Sequence, residues 1–300
     1  MSKKLFILLF AWCACAVARS ATSLPLKWEE LTGSEFAAAI KQASGVCILP
    51  MGSVEKSGPA GPLGTNLYVV RIVAIEAVKQ EYAVVFPEYF VAQTNDVSNL
   101  PGAIAYSEGL QRQMLDETTS EMARNGCRKI LIVNGHSGNN GLLQHFVDVL
   151  MSRPHDYVVY FMQGGPPRMS PLTPETAKLP VAMRPSKPDA DGHGGEERMA
   201  VLMAFRPEVV HPERSHDEPI VLEGSRKLKL PAGVQTGVSR AVEAPTGYIG
   251  DASGATAVRG HALVDYTAGR VVAAIRAIKA DDESPKLQHE FFEQRLQLTR

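Results

Sequence analysis

The chain has 300 residues, of which 31 are Lys or Arg and 32 are Asp or Glu, so its formal net charge is -1 at pH 7. The two signs are interspersed, which leaves no basic face for a nucleic acid or an anionic membrane surface. Four cysteines in a chain of this length exclude a disulfide scaffold. These properties favour a protein that acts on a small molecule.

The N-terminus has the pattern of a secretory leader. Lys3 and Lys4 precede an apolar run over 5–17 that is too short to span a bilayer, and Ala16-Val17-Ala18 provides a small-x-small cleavage site. This pattern predicts a signal peptide over 1–18, a single mature domain over 19–300, and export to the periplasm or the exterior. A buried N-terminal helix is the alternative interpretation. No later stretch is long enough to cross a membrane.

The rest of the chain alternates apolar strands and helices. Short apolar runs bounded by turn residues predict strands over 46–50, 82–86, 130–133 and 157–161. Helical periodicity and end signals predict helices over 34–43, 67–79, 107–126, 141–152, 195–205 and 258–280, with Asn66 as the N-cap of the second helix. This order indicates βαβ units, and therefore an α/β fold with a mostly parallel central sheet flanked by helices.

Three further segments complete the chain. The Pro-rich stretch over 166–188 has no periodicity and predicts a long surface loop. Residues 211–250 are irregular, with short strands as an option. The tail over 284–300 is amphipathic, and we expect it to pack on the surface or on a neighbouring subunit.

The mature chain keeps two cysteines, Cys47 and Cys127, and each stands at the start of an apolar run. Free cysteine is among the most buried residue types. This position favours two buried free thiols over a disulfide.

Polar loops follow or precede the predicted elements at three places. The loop over 49–66 contains Glu55, the loop over 134–140 contains His136 after a buried strand, and the loop over 191–198 contains His193 before Glu196 and Glu197. The carboxyl ends of parallel strands are where an α/β sheet places its ligands. Each residue alone also has an explanation that involves no function. The two glutamates, for example, stand at a helix start, where the helix dipole favours negative charge. Together, two histidines and several carboxylates suit zinc or manganese.

The ordered set of motifs resembles the creatininase family. It consists of Pro50-x-Gly-Ser-x-Glu55, the Gly-Pro and Pro-Leu-Gly-Thr continuation, Pro101-Gly102, Asn134-Gly-His-x-Gly-Asn139, and His193-Gly-Gly-Glu196. The resemblance covers roughly residues 28–210. It implies a layered α/β fold, a two-metal site, hydrolysis of C–N bonds in small cyclic or substituted amides, and homo-oligomers, namely hexamers built from dimers.

Several positions depart from the family pattern of Glu-x-His-Gly-x-His, Leu-x-Thr-Asp and His-x-Gly-x-x-Glu. Ser57 and Ala60 replace the two histidines, Asn66 replaces the aspartate, and Arg198 replaces the glutamate. A guanidinium beside a second divalent ion is repulsive. These departures predict a partly degraded site that holds at most one zinc or manganese ion, although a one-residue slip could let Glu197 replace the lost glutamate.

The resemblance assigns roles to the residues that remain. Glu55, His136 and Asn66 are the predicted metal ligands, and His193 orients or protonates the substrate. Glu196 or Glu197 moves the proton. Ser57, Ser137 and Arg198 are the predicted substrate contacts.

Two other functions fit parts of the same sequence. Gly135-His136-Ser137-Gly138-Asn139 follows a strand as a serine-hydrolase elbow does, with Ser137 as nucleophile and His193 or His216 as base, but Asn139 breaks the elbow pattern at its last position. A non-catalytic relative that keeps the fold for binding or assembly is the competing hypothesis.

Overall fold

The computed structural model describes residues 23–167, 173–174, 176–221, 227–234 and 236–298. A parallel sheet of four strands forms the centre of the fold: β1 (Val46–Met51), β2 (Val84–Val85), β3 (Lys129–Asn134) and β4 (Val158–Gln163). The strand order is β2-β1-β3-β4, and every pairing is parallel. β1 is buried along its whole length, as expected for a strand whose two faces are both covered.

Helices cover both faces of this sheet. They are α1 (Gly33–Gln42), α2 (Thr65–Val78), α3 (Glu108–Arg124), α4 (Asn140–Leu150), α5 (Glu196–Phe205), α6 (Ser239–Glu243), α7 (Ala257–Ala280) and α8 (Glu283–Gln297). Alternate residues of β1 point to opposite faces. Val46 and Ile48 join a core with α2, α5 and α7, whereas Leu49 and Met51 join a second core with α1, α3 and α4. The predicted α/β fold with a parallel sheet is confirmed.

Two regions differ in detail from the sequence prediction. α2 begins at Thr65 with Gly64 as its N-cap, so Asn66 lies inside the first turn instead of capping it. The described residues of 211–250 contain no strand of more than one residue, and only an isolated bridge joins Gly250 to Asp191. Asn66 is therefore turned toward the end of β1, and not toward the backbone of its own helix.

The prediction of free thiols at Cys47 and Cys127 is wrong, because the two residues form a disulfide. Their Cα atoms are 5.6 Å apart, and both side chains are fully buried in the same core. β1 and β3 are neighbours in the sheet, and Cys127 lies just before β3 on the face that Cys47 also occupies. The bond joins positions that are 80 residues apart in sequence. They come close in space because β1 and β3 are adjacent strands.

The C-terminal tail packs on the chain's own surface, beside β4. Gln288 of α8 donates to the carbonyls of His155 and Tyr157, and Phe292 is buried against the His155 ring. Phe291 and Leu296 stay 45% and 53% exposed, so part of the apolar face of α8 is accessible to solvent.

The predicted signal peptide, over 1–18, lies outside the described residues. Among the described residues, no helix has both the length and the apolar character needed to cross a membrane.

Candidate active site

A cavity of about 550 Å³ opens at the carboxyl edge of the sheet, where the three polar loops meet. Eight of the nine predicted site residues line it: Glu55, Ser57, Asn66, His136, Ser137, His193, Glu197 and Arg198. The structure thus brings together residues that are as far apart in sequence as Glu55 and Arg198. Glu196 does not line the cavity.

Glycines allow these loops to approach one another closely. A Cβ atom at Gly135 would lie 3.0 Å from the carbonyl oxygen of Asn66, so only glycine lets the loop after β3 touch the first turn of α2. Gly194 has φ +77°, and a Cβ there would lie 2.9 Å from the carbonyl oxygen of Ser57. The two glycines bring the His136 and His193 loops against the loop that carries Glu55.

Glu55, His136 and Asn66 form a buried cluster at the cavity floor. His136 Nδ1 lies 3.1 Å from Glu55 Oε1, and Asn66 Nδ2 donates to the same oxygen over 2.7 Å. Asn66 Nδ2 also lies 3.4 Å from His136 Nδ1. Glu55 is 2% exposed, His136 is 9% exposed and Asn66 is 6% exposed. The predicted metal ligands are therefore in mutual contact.

The orientation of His136 is fixed by a backbone carbonyl. His136 Nε2 lies 2.8 Å from the carbonyl oxygen of Gln93, to which it donates, and this leaves Nδ1 directed at Glu55. The Gln93 backbone is held in turn by Asn139, whose Oδ1 accepts from Gln93 N over 2.8 Å. Such outer contacts commonly set the tautomer of a metal-binding histidine. Sequence reasoning missed Gln93, because a backbone carbonyl carries no residue-type signal.

The pKa of His136 is raised above the ordinary histidine value. Burial lowers the pKa, but the hydrogen bond and charge of Glu55, the Gln93 carbonyl and the charge of Asp96 raise it by more. The carboxylate of Glu55 thus favours positive charge beside it.

Three of the predicted ligands could contribute to a metal site on the cavity floor. His136 Nδ1 and Glu55 Oε1 converge on one point, and rotation of the Asn66 amide by half a turn presents Oδ1 to it. Within the described residues, no group of three or more His, Cys, Asp or Glu side chains could hold a metal. Ser57 stands in the buried wall of the cavity, and Arg198 brings a positive charge to the same wall.

His193 and Glu197 also line the cavity. His193 Nε2 donates to the carbonyl of Lys56 over 2.9 Å. Glu197 is the second residue of α5, and its Oε1 lies 3.5 Å from Arg198 Nε. An imidazole and a carboxylate therefore line the same cavity as the Glu55 cluster.

Glu196 lies outside the cavity, which corrects the prediction that it moves a proton. Its carboxylate accepts from the Ser186 backbone over 2.8 Å, from the Ser186 hydroxyl, and from Arg259 Nη1 over 3.2 Å. Arg259 also donates to Asp191 Oδ2 over 2.6 Å, and all three charged groups are buried. This buried ion cluster ties the start of α5 to α7. Sequence reasoning missed Arg259, since its partners are 63 and 68 residues away.

Ser137 lines the cavity but lacks the geometry of a nucleophile elbow. Such an elbow strains the backbone at the nucleophile, whereas among the described non-glycine residues only Ser44 has a positive φ. No hydrogen bond joins Ser137 to a histidine in the described part of the chain, and His136 points to Glu55 and Gln93 instead. The geometry gives no support to a serine hydrolase.

Comparison with known proteins gives consistent results. The model of the creatininase family, described as creatinine amidohydrolase, matches residues 29–275. The mycofactocin precursor peptide peptidase of Mycobacterium tuberculosis (strain CDC 1551 / Oshkosh) is 27% identical over 260 residues, which are 80% of this chain and 89% of the relative.

Solved creatininase structures share the fold. A manganese form superposes with a TM-score of 0.66 at 19% identity, over 84% of this chain and 98% of that one. A Zn–Zn form of a creatininase mutant gives 0.67 at 19% identity, over 85% and 98%. At this level of identity the likeness shows a common fold.

Proposed function

Because this chain belongs to the creatininase family, we propose that it is a metal-dependent amidohydrolase that cleaves a C–N bond of a small cyclic or substituted amide. The observation that carries the proposal is the buried contact of Glu55, His136 and Asn66 at the floor of a cavity. A histidine and a carboxylate buried together in a cleft are typical of a functional site. A family described as creatinine amidohydrolase and a relative named as a peptidase support C–N bond cleavage.

The proposed metal is one zinc or manganese ion per chain, since creatininase itself occurs in both forms. Glu55 Oε1 and His136 Nδ1 hold it, and Asn66 Oδ1 completes the protein ligands after rotation of its amide. The chemistry that such an ion supplies when bound is polarisation of a carbonyl and acidification of water. Catalytic zinc typically has three protein ligands, so we expect weaker binding from two firm ligands and an amide.

A second ion is excluded from this proposal by charge as well as by ligand count. Arg198 lies where the family pattern has a glutamate, and its guanidinium is always protonated. Like charges about 4 Å apart repel by about 4 kcal/mol per pair of unit charges at an effective dielectric constant of about 20. Arg198 therefore takes the electrostatic place of a second divalent ion.

The chain's own residues perform the proton transfers. Glu197 takes a proton from the attacking water on its carboxylate and delivers it to the leaving nitrogen. His193 orients the substrate through Nδ1, which accepts a hydrogen bond from an amide N–H, since Nε2 already donates to Lys56. Ser57, Ser137 and Arg198 contact the substrate from the cavity wall.

We also propose that the protein is exported and forms a homo-oligomer. The disulfide between Cys47 and Cys127 supports export, because disulfides persist in oxidising compartments and are rare in the cytosol. The exposed apolar residues Leu287, Phe291 and Leu296 of α8 support association of copies of the chain.

A non-catalytic relative is the second candidate, favoured by the loss of ligands at Ser57, Asn66 and Arg198.

The deciding experiment assays the mature protein, loaded with zinc or manganese, on cyclic amides, N-acyl amino acids and dipeptides. We expect hydrolysis that a chelator abolishes and that Glu55→Gln lowers at least 100-fold, with surface Glu81→Gln as the matched control. Hydrolysis that survives both treatments contradicts the metal mechanism. Ligand binding without hydrolysis of any member of the panel supports the non-catalytic relative.

A further inference from the structure

Arg198 is an arginine at the wall of the cavity. It lies in the first turn of α5, and its guanidinium rests against Gly165, just after β4. A Cβ atom at Gly165 would lie 2.8 Å from Nη2 and 3.0 Å from Nη1, so the absence of a side chain at this position leaves room for the guanidinium. The side chain is 21% exposed, which leaves it accessible from the cavity.

The hydrogen-bonding capacity of this guanidinium is largely unused. Arginine has five N–H donors, yet Nη1 is buried without a hydrogen-bond partner among the residues that the structure describes. The contact of Nε with Glu197 Oε1, at 3.5 Å, is longer than a normal charge-assisted hydrogen bond. A buried donor on a charged group normally has a partner, because leaving it unsatisfied is costly.

Of the four acids that line the cavity, Glu55, Asp96, Asp191 and Glu197, two have close partners other than Arg198. Glu55 contacts His136 and Asn66, and Asp191 pairs with Arg259. A second cation, Arg270, lines the same cavity. Within the described chain, Glu197 is the acid paired with Arg198, at 3.5 Å.

We infer that Arg198 binds a carboxylate of the substrate, so that the substrate is an amide that also carries a carboxylate group. The two oxygens of a carboxylate match the fork of Nη1 and Nη2 after a rotation of the guanidinium. A monoanion suits the site better than a phosphate dianion, because Glu55 and Glu197 line the same cavity and repel additional negative charge. This inference rests on the proposed function and names its substrate class.

Binding measurements test the inference without any turnover. N-acetylglycine and its neutral analogue N-acetylglycinamide are titrated by calorimetry into the mature protein with a chelator present, so that no metal-dependent hydrolysis occurs. We expect the acid to bind at least tenfold more tightly than the neutral amide, and methyl phosphate to bind no better than the neutral amide. Failure of the proposed hydrolysis would leave this result unaffected.

Variants identify the residue that is responsible. Arg198→Gln abolishes the preference for the acid, whereas Arg198→Lys keeps the charge without the fork and retains a smaller preference. Arg276→Gln, on the exposed part of α7, is the matched control and keeps the full preference. If circular dichroism shows that Arg198→Gln is unfolded, the reduced preference for the acid in Arg198→Lys becomes the deciding result.

Three results overturn the inference. The first is equal affinity of the natural protein for the acid and the neutral amide. The second is a preference for the acid that survives Arg198→Gln. The third is a preference for the acid that disappears in Arg270→Gln but persists in the Arg198 variants.

Discussion

The two nitrogens of His136 have different neighbours, since Nδ1 lies beside Glu55 and Nε2 beside the Gln93 carbonyl. Nε2 donates to the Gln93 carbonyl, and Asn139 holds the Gln93 backbone through Oδ1 while its Nδ2 donates to Asn134 over 3.1 Å. Asn139 thus positions His136 without touching Glu55. Loss of such an outer contact commonly lowers metal affinity about 10–100-fold.

We therefore expect Asn139→Ala to weaken zinc binding by about 10-fold or more, because the Gln93 carbonyl loses its support. Competition with a fluorescent zinc chelator measures the affinity. Asn125→Ala is the matched control, since the Asn125 side chain, at the end of α3, donates to the carbonyl of Glu121 away from the cavity. Equal affinities in the two variants would show that Asn139 does not position His136.

The buried ion cluster of Arg259, Asp191 and Glu196 predicts a large effect on stability. Arg259→Leu leaves two buried carboxylates without their cation, and removal of one partner of a buried pair costs about 3–5 kcal/mol. Urea denaturation measures the free energy of unfolding. Arg276→Leu, which breaks the exposed pair with Glu81, should change it by less than about 1 kcal/mol. Similar losses in both variants would contradict the structural role of the cluster.

For single residues, the sequence motifs correctly pointed to the cavity positions whose residue type is chemically distinctive. Glu55, His136 and His193 stand in recognisable loops, and the structure brings them to one cavity. Glu196 and Glu197 are adjacent in sequence, and only the direction of each side chain at the start of α5 separates the buried one from the cavity residue. That direction depends on Arg259, whose long-range partners the sequence does not indicate.

Among the elements, β1 and β3 are joined by a covalent bond. In the chain-entropy description, a disulfide that closes a loop of this length stabilises the folded state by about 4.5 kcal/mol. We expect the double variant Cys47→Ala, Cys127→Ala to lose most of this free energy of unfolding in a denaturant titration. A reductant should destabilise the natural protein similarly and leave the double variant unchanged. Insensitivity of the natural protein to reductant under denaturing conditions would contradict the disulfide.

The order and type of the elements were predictable because apolar runs and helical periodicity are local signals. The strands and main helices occur where the sequence predicted them, with shifts of a few residues at their ends. The start of α2 was misplaced because Thr65 N bonds to Pro62 O, which begins the helix before Asn66. The disulfide was missed because it depends on strand order, which no local signal contains.

Across the whole molecule, α8 covers β4 with one face and leaves Leu287, Phe291 and Leu296 partly exposed. Apolar residues clustered in this way favour association. We expect light scattering to report more than a monomer for the mature protein, and Phe291→Asp with Leu296→Asp to shift the mass toward the monomer. A natural protein that is monomeric at micromolar concentration would contradict the proposed assembly.

The central claim is that the cavity holds a single catalytic metal, with Arg198 in the place of the second. Elemental analysis of the mature protein after dialysis against buffer with excess zinc or manganese, followed by metal-free buffer, tests it most directly. We predict at most one ion per chain, and a rise toward two in the triple variant Ser57→His, Asn66→Asp, Arg198→Glu, which returns ligands and removes repulsion. Two tightly held ions in the natural sequence would contradict the account.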